Sequence, residues 1–184
     1  MIDFSQIRAI LFDVDGVMTD GSLNLDGDGE SFKTFNAKDG IAFELLKRNG
    51  IVTGVISGKS SNSLDYRCNQ LGIDAVYSNC RLKVSALKSI CADFSLEPEN
   101  IVFIGDDIID LPLFSLVGFS VAPNDAHILV KQKADFILSS PGGRAAVREF
   151  VEMFLMNKNG CTIDELYKPL IDDLINLNDV EVQQ

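Results

Sequence analysis

At 184 residues the chain fits one domain, 1–184, large enough to bury a core, and 46% hydrophobic with 23% charged residues is globular rather than disordered composition. A net charge of −11, from 27 acidic and 16 basic residues, argues against nucleic acid as a partner, because phosphate backbones need basic stripes. No apolar run approaches the roughly 18 residues of a membrane helix, and Met1-Ile2-Asp3-Phe4-Ser5 lacks the features of a signal peptide, so the expectation is a cytoplasmic protein with no membrane partner.

In chain order, Ile7 to Asp13 is predicted as a buried strand ending in acid. Between Asp20 and Asn36 come two short strand-like runs, Ser22 to Leu25 and Glu30 to Phe35, joined by Asp26-Gly27-Asp28-Gly29, a hairpin signal. That turn resembles the start of an EF-hand loop counted from Asn24. Position twelve would then be Phe35 rather than a bidentate glutamate, and the hairpin is preferred. Strands follow at Ile51 to Ser57, Ala75 to Ser78, Ile101 to Gly105, Phe119 to Ala122 and Phe136 to Leu138. Helices are predicted after Ser57 through about Leu71, at Lys83 to Phe94, from about Ala145 to Met156, and from Thr162 to Asn176. The alternation predicts an α/β fold with a parallel sheet flanked by helices. Leu166, Leu170 and Leu174 form an apolar stripe on the last helix, before an acidic stretch from Asp172 to Glu181.

Cys68, Cys80, Cys91 and Cys161 show neither C-x-x-C nor zinc-finger spacing and are expected as free thiols. His127 is the single histidine, which excludes chemistry that needs two in one chain.

In open parallel sheets, ligands sit beyond the carboxyl ends of the strands. Acid and phosphate-binding residue types fall at those ends one strand after another: Asp13-Val14-Asp15-Gly16-Val17, then Ser57-Gly58-Lys59, then Lys83, then Gly105-Asp106-Asp107 with Asp110. Asp13 and Asp106 brought together would repel unless a hard cation lay between them, and magnesium suits a few carboxylate oxygens plus water. A partly neutralised Asp13 can attack phosphorus, splitting a hard hydrolysis into two easier steps. Asp15 is placed to protonate the leaving oxygen and later to deprotonate water. Ser57 and the Gly58 amide can bond the phosphoryl oxygens, and Lys83 supplies positive charge. A lone D-x-D-G or Gly-Asp-Asp is more often a turn or helix cap. The argument rests on all four segments occurring in order. Ser57-Gly58-Lys59-Ser60 also matches the end of a nucleotide-binding P-loop, but residue 53 is Thr53 rather than glycine.

Leu11-Phe12-Asp13-Val14-Asp15-Gly16-Val17, Ser57, Lys83 and Gly105-Asp106-Asp107-Ile108-Ile109-Asp110 together resemble the haloacid dehalogenase superfamily of aspartyl-nucleophile phosphatases. Thr19-Asp20-Gly21, Phe35-Asn36-Ala37-Lys38-Asp39-Gly40, Asp110-Leu111-Pro112, Asp125-Ala126-His127 and Gly142-Gly143-Arg144-Ala145-Ala146-Val147-Arg148-Glu149 resemble its 3-deoxy-D-manno-octulosonate 8-phosphate phosphatase branch over nearly the whole chain. The resemblance implies a capless Rossmann-like domain with a hairpin inserted after the first strand. It implies Asp13 as nucleophile, Asp15 as acid/base, and Mg2+ held by Asp13, the Asp15 carbonyl and Asp106, with Asp107 and Asp110 supporting that shell. It also implies a homotetramer in which the hairpin closes a neighbour's site. Sugar-acid contacts are implied for Asn36, Ala37, Lys38, Asp39, Gly40, Lys59 and Arg67. The branch commonly has arginine where this chain has Lys38 and Lys59, and lysine lacks the planar bidentate grip.

The expected activity is therefore hydrolysis of 3-deoxy-D-manno-octulosonate 8-phosphate in lipopolysaccharide synthesis. The alternatives are a phosphatase of a nine-carbon keto-sugar acid 9-phosphate, or a non-catalytic assembly module of the same fold.

Overall fold

The computed structural model describes residues 3–27 and 29–181; Asp28 of the expected turn lies outside them, and from residue 177 on only the backbone is described. A six-stranded parallel sheet has the order β5-β4-β1-β6-β7-β8. Its strands are β1 (Ala9–Phe12), β4 (Val52–Ile56), β5 (Ala75–Tyr77), β6 (Ile101–Ile104), β7 (Phe119–Ala122) and β8 (Phe136–Ile137). The predicted strands of this sheet are all present, Phe119 to Ala122 with its predicted bounds and the others one to three residues shorter at their ends. The hairpin is a separate two-stranded sheet of β2 (Asn24–Asp26) and β3 (Gly29–Phe32).

β1 is buried along its whole length, as a central strand covered on both faces must be. The period of two sorts its side chains. Ile10 and Phe12 point into one core with Phe43, Leu46, Phe150 and Phe154; Ala9 and Leu11 point into the other with Leu87, Ile90, Leu113 and Phe114. The first layer is built by α1 (Asp39–Arg48), α2 (Asn62–Leu71), α6 (Ala146–Asn159) and α7 (Ile163–Glu181). The second is built by α3 (Lys83–Phe94), α4 (Leu111–Phe114) and α5 (Ile128–Lys131).

α1 is an element that the sequence reading left unassigned, although Ala42, Phe43, Leu45 and Leu46 make a buried face at helical spacing. On α7, Leu166 is buried and Leu170 half-buried, whereas Leu174 is 52% exposed. The expected stripe thus reaches the core only in its first turns.

β1 lies between β4 and β6, and successive crossovers run to opposite sides of it. This reversal opens a crevice at the carboxyl ends of the strands. The register pairs Phe12 with both Val55 and Ile104, so the residues just beyond these strands meet at one level.

Candidate active site

The Asp13 amide donates to the Ile104 carbonyl, which carries the β1 ladder one residue past its last strand position and holds Asp13 beside Gly105-Asp106. Carboxylate oxygens of Asp13, Asp106 and Asp110 all lie within 4.8 Å of one another. Lys83, at the first turn of α3, reaches over with its side chain 1% exposed. Its Nζ is 2.8 Å from Asp13 Oδ1 and 2.6 Å from Asp110 Oδ1. Asp110 Oδ2 accepts from the amides of Asp106 (3.0 Å) and Asp107 (3.3 Å). With both oxygens engaged, Asp110 shapes the loop that presents Asp106. Asp107 is exposed and accepts from the Ile108 amide, a helix-capping contact.

Asp106 Oδ1 is buried and has no hydrogen-bond partner. Three carboxylates against one ammonium leave two negative charges uncompensated, and the titration of the site follows from that. Burial, then the Asp110 charge, pushes Asp13 up to about 6, against the pull of Lys83. Burial, then Asp13 and Asp110, pushes Asp106 up to about 8. Burial alone would lower Lys83, but its two carboxylates outweigh this and raise it. An open buried oxygen, a hard-oxygen donor set and a charge deficit of two fit a small divalent cation.

The cluster forms the floor of a cleft of about 530 Å³ lined by Asp13, Asp15, Gly21, Leu23, Gly58, Lys59, Arg81, Asp106, Asp107 and Ile109. Ser57, fully buried beside it, accepts from the Lys59 amide at 3.2 Å, which leaves its hydroxyl hydrogen to donate elsewhere. Gly16 takes a φ of +90° against the cluster; a Cβ there would stand 2.1 Å from Asp106 Oδ2.

Asp15 lines the cleft and is ion-paired at 2.5 Å to Lys33, whose Nζ also bonds Glu30 at 2.7 Å. Burial would lower Lys33, but its bonds to Asp15 and Glu30 outweigh that and raise it. The sequence reading singled out neither Lys33 nor Glu30, nor Arg81 on the cleft wall. A charged residue in or beside a short, largely exposed strand carries no pattern that marks it, whereas Arg81, two positions before Lys83, could have been found by proximity.

The expected sugar-binding set divides. Gly58 and Lys59 line the cleft. Lys38 does not: Asn36 Oδ1 accepts from its amide in an Asx turn, and its side chain lines a groove with Ser140, Ala145 and Arg148. Asp39 is buried and accepts from the Arg148 amide, with burial pushing it up to about 6. Ala37 and Arg67 line a third groove with Lys33, Phe35 and Ser63; Arg67 bonds the Asn36 carbonyl and Gln70, while its Nε has no partner. Asn36 Nδ2 donates to the Gly143 carbonyl, and Gly40 opens α1. Within one chain, then, Lys38, Asp39 and Arg67 do not share the carboxylate cleft. A roomier groove of about 610 Å³ beside α6 and α7 lacks a carboxylate cluster; its Arg148 and Glu152 are paired with each other and with Tyr167.

Known proteins resemble this chain in sequence and in fold. A model of the haloacid dehalogenase-like hydrolases matches residues 69–150. The 3-deoxy-D-manno-octulosonate 8-phosphate phosphatase of Yersinia pestis is 39% identical over 152 residues, 83% of this chain and 81% of the relative. That of Escherichia coli K12 is 37% identical over 150 residues, 82% of this chain and 80% of the relative. Among solved structures, the Moraxella catarrhalis phosphatase with magnesium, phosphate and the sugar acid superposes with a TM-score of 0.85 at 29% identity, covering 91% of this chain and 95% of that one. The cobalt-bound Haemophilus influenzae enzyme gives 0.82 at 36% identity, covering 85% and 91%. The chain belongs to the haloacid dehalogenase-like hydrolases, in the branch of the 3-deoxy-D-manno-octulosonate 8-phosphate phosphatases, and is a phosphoric monoester hydrolase.

Proposed function

We propose that the chain hydrolyses 3-deoxy-D-manno-octulosonate 8-phosphate in the cytoplasm, with magnesium, through an aspartyl-phosphate on Asp13. The observation that carries this reading is the open, buried Asp106 Oδ1 set against Asp13 on the cleft floor. Asp13, Asp106 and the Asp15 carbonyl are the proposed ligands of the ion. When bound, magnesium supplies the positive charge that lets the two carboxylates and a phosphoryl group share one space.

In the first step an Asp13 carboxylate oxygen bonds to phosphorus as the ester oxygen departs, and Asp15 gives that oxygen a proton. In the second, Asp15 takes a proton from water, whose oxygen attacks phosphorus and releases Asp13 and phosphate. Ser57 and the Gly58 amide donate to the equatorial oxygens. Lys83, held by Asp13 and Asp110, stabilises the charge that builds there. Asp107 and Asp110 shape the loop that carries Asp106.

Lys59 and Arg81 on the cleft wall supply cations for an acidic sugar. Lys38 and Arg67, with the Asn36–Gly40 loop, would serve a cleft only across a subunit boundary. Leu23, Leu25 and Phe32 are 47%, 66% and 53% exposed on the hairpin, which supports a homotetramer of single capless domains with the hairpin covering a neighbour.

The test is phosphate release from 3-deoxy-D-manno-octulosonate 8-phosphate, a nine-carbon keto-sugar acid 9-phosphate and generic esters, with and without magnesium. The reading expects a preference for the eight-carbon substrate. Comparable rates on every ester would overturn the sugar-acid assignment. No release from any ester would favour a non-catalytic module.

A further inference from the structure

Lys33 ties the hairpin to the cleft. Lys33 follows β3; its amide donates to Ser63 Oγ on α2 at 3.3 Å, and its side chain is 1% exposed. The ammonium touches Asp15 Oδ1 on one side and Glu30 Oε1 on the other. Burying an ammonium with two carboxylates is a poor way to gain stability, because desolvation offsets most of the attraction, and such groups are better suited to fixing geometry. What this group fixes is the side chain that the proposed reaction uses as its acid.

We propose that Lys33, steadied by Glu30, is a positioning residue for Asp15. This rests on the function proposed above and deepens it. The ammonium holds one carboxyl oxygen of Asp15 and so decides that the other, carrying the proton, faces the leaving oxygen. As that proton moves to the ester oxygen, the phosphorus–oxygen bond breaks and Asp13 bonds to phosphorus. Asp15 is left as a carboxylate beside a fixed positive charge that was in place beforehand. The alcohol leaves protonated, and Asp15 recovers its proton from the attacking water in the next step. Hairpin seating and acid catalysis are thereby one event, because Glu30 and Lys33 belong to the hairpin arm and Asp15 to the loop after β1.

A leaving-group comparison separates this role from simple support. A sugar alkoxide needs a proton to depart, whereas p-nitrophenolate departs without one. For Lys33→Met, kcat/KM on 3-deoxy-D-manno-octulosonate 8-phosphate should fall roughly 30- to 100-fold, within the range of general acid catalysis, and on p-nitrophenyl phosphate less than about 3-fold. Glu30→Gln should show the same asymmetry at smaller size, and serves if Lys33→Met does not fold. Magnesium affinity by calorimetric titration should stay within about 3-fold of wild type, and in an Asp15→Asn background Lys33→Met should add less than about 3-fold. Equal losses on both esters, with wild type active, overturn the Lys33 proposal alone. A wild type that cleaves neither ester overturns it together with the function.

Discussion

Lys83 and Lys33 each place one ammonium, with its side chain 1% exposed, between two carboxylates, yet the elements that carry them are unlike. Lys83 starts a twelve-residue helix packed on the sheet, and its partners Asp13 and Asp110 are 4% and 0% exposed. Lys33 hangs on a hairpin whose strands are largely exposed, and its partners keep 23% and 11% of their side chains in contact with solvent. The same charge pattern is locked by the core in one place and by an exposed arm in the other. The core pair suits a group that stabilises phosphoryl charge in every turnover; the pair on the arm suits a group that fixes the orientation of Asp15 at the cleft.

Experiments can break this comparison at several depths. The largest effect is expected for Asp13→Asn, which removes the nucleophile: phosphate release should fall by at least about 10³-fold while circular dichroism and oligomer size stay unchanged. Lys83→Met comes next, with kcat down about 10²-fold or more. Urea unfolding should show about 3 kcal/mol lost, since two buried carboxylates are left facing each other. Lys33→Met should cost only about 1 kcal/mol in the same assay, because solvent reaches its partners. Equal stability losses would remove the distinction drawn here. Gly16→Ala should weaken magnesium binding about tenfold or more by calorimetry, as its Cβ must displace Asp106.

A smaller effect is expected in the pH dependence of stability. The metal-free folded chain holds protons on Asp13 up to about 6 and on Asp106 up to about 8 that the unfolded chain releases near 4. Below that window the two states are equally protonated; through it the unfolded state binds fewer protons, so stability falls as pH rises from about 4 to 8. Magnesium needs both groups ionised and should restore what was lost. Its rise in melting temperature should therefore be greater at pH 8 than at pH 5, by about 5 °C in thermal scans with and without EDTA. A flat difference across that range would mean that these carboxylates are not the ligands.

The sheet and the cleft floor were legible in the sequence because β-branched runs end in acid or glycine at the same topological edge; Asp13, Ser57, Lys83 and Asp106 each sit where a strand end or helix start puts them. Legibility stopped where position depends on tertiary contacts. Lys38 appears in a family-like loop, but the Asx turn at Asn36 sends it toward α6. Asp39, implied as a sugar-acid contact, is buried against the Arg148 amide. α1 carries its apolar spacing in plain view at Ala42, Phe43, Leu45 and Leu46. Glu30 in β3 and Lys33 just after it fall three apart, an arrangement with no periodic signature; only the folded hairpin brings them to Asp15.

Gly142 stands where a Cβ would lie 1.9 Å from the Gly16 carbonyl oxygen, and the Gly143 amide donates to the Val17 carbonyl at 3.0 Å. The loop after the first strand is therefore clasped by a segment synthesised near the far end of the chain. Until that segment has emerged from the ribosome, the loop bearing Asp13 and Asp15 keeps its contacts to Ile104, Asp106 and Lys33 but lacks this clasp. Chains that stop before Gly142 cannot form the clasp over the catalytic loop.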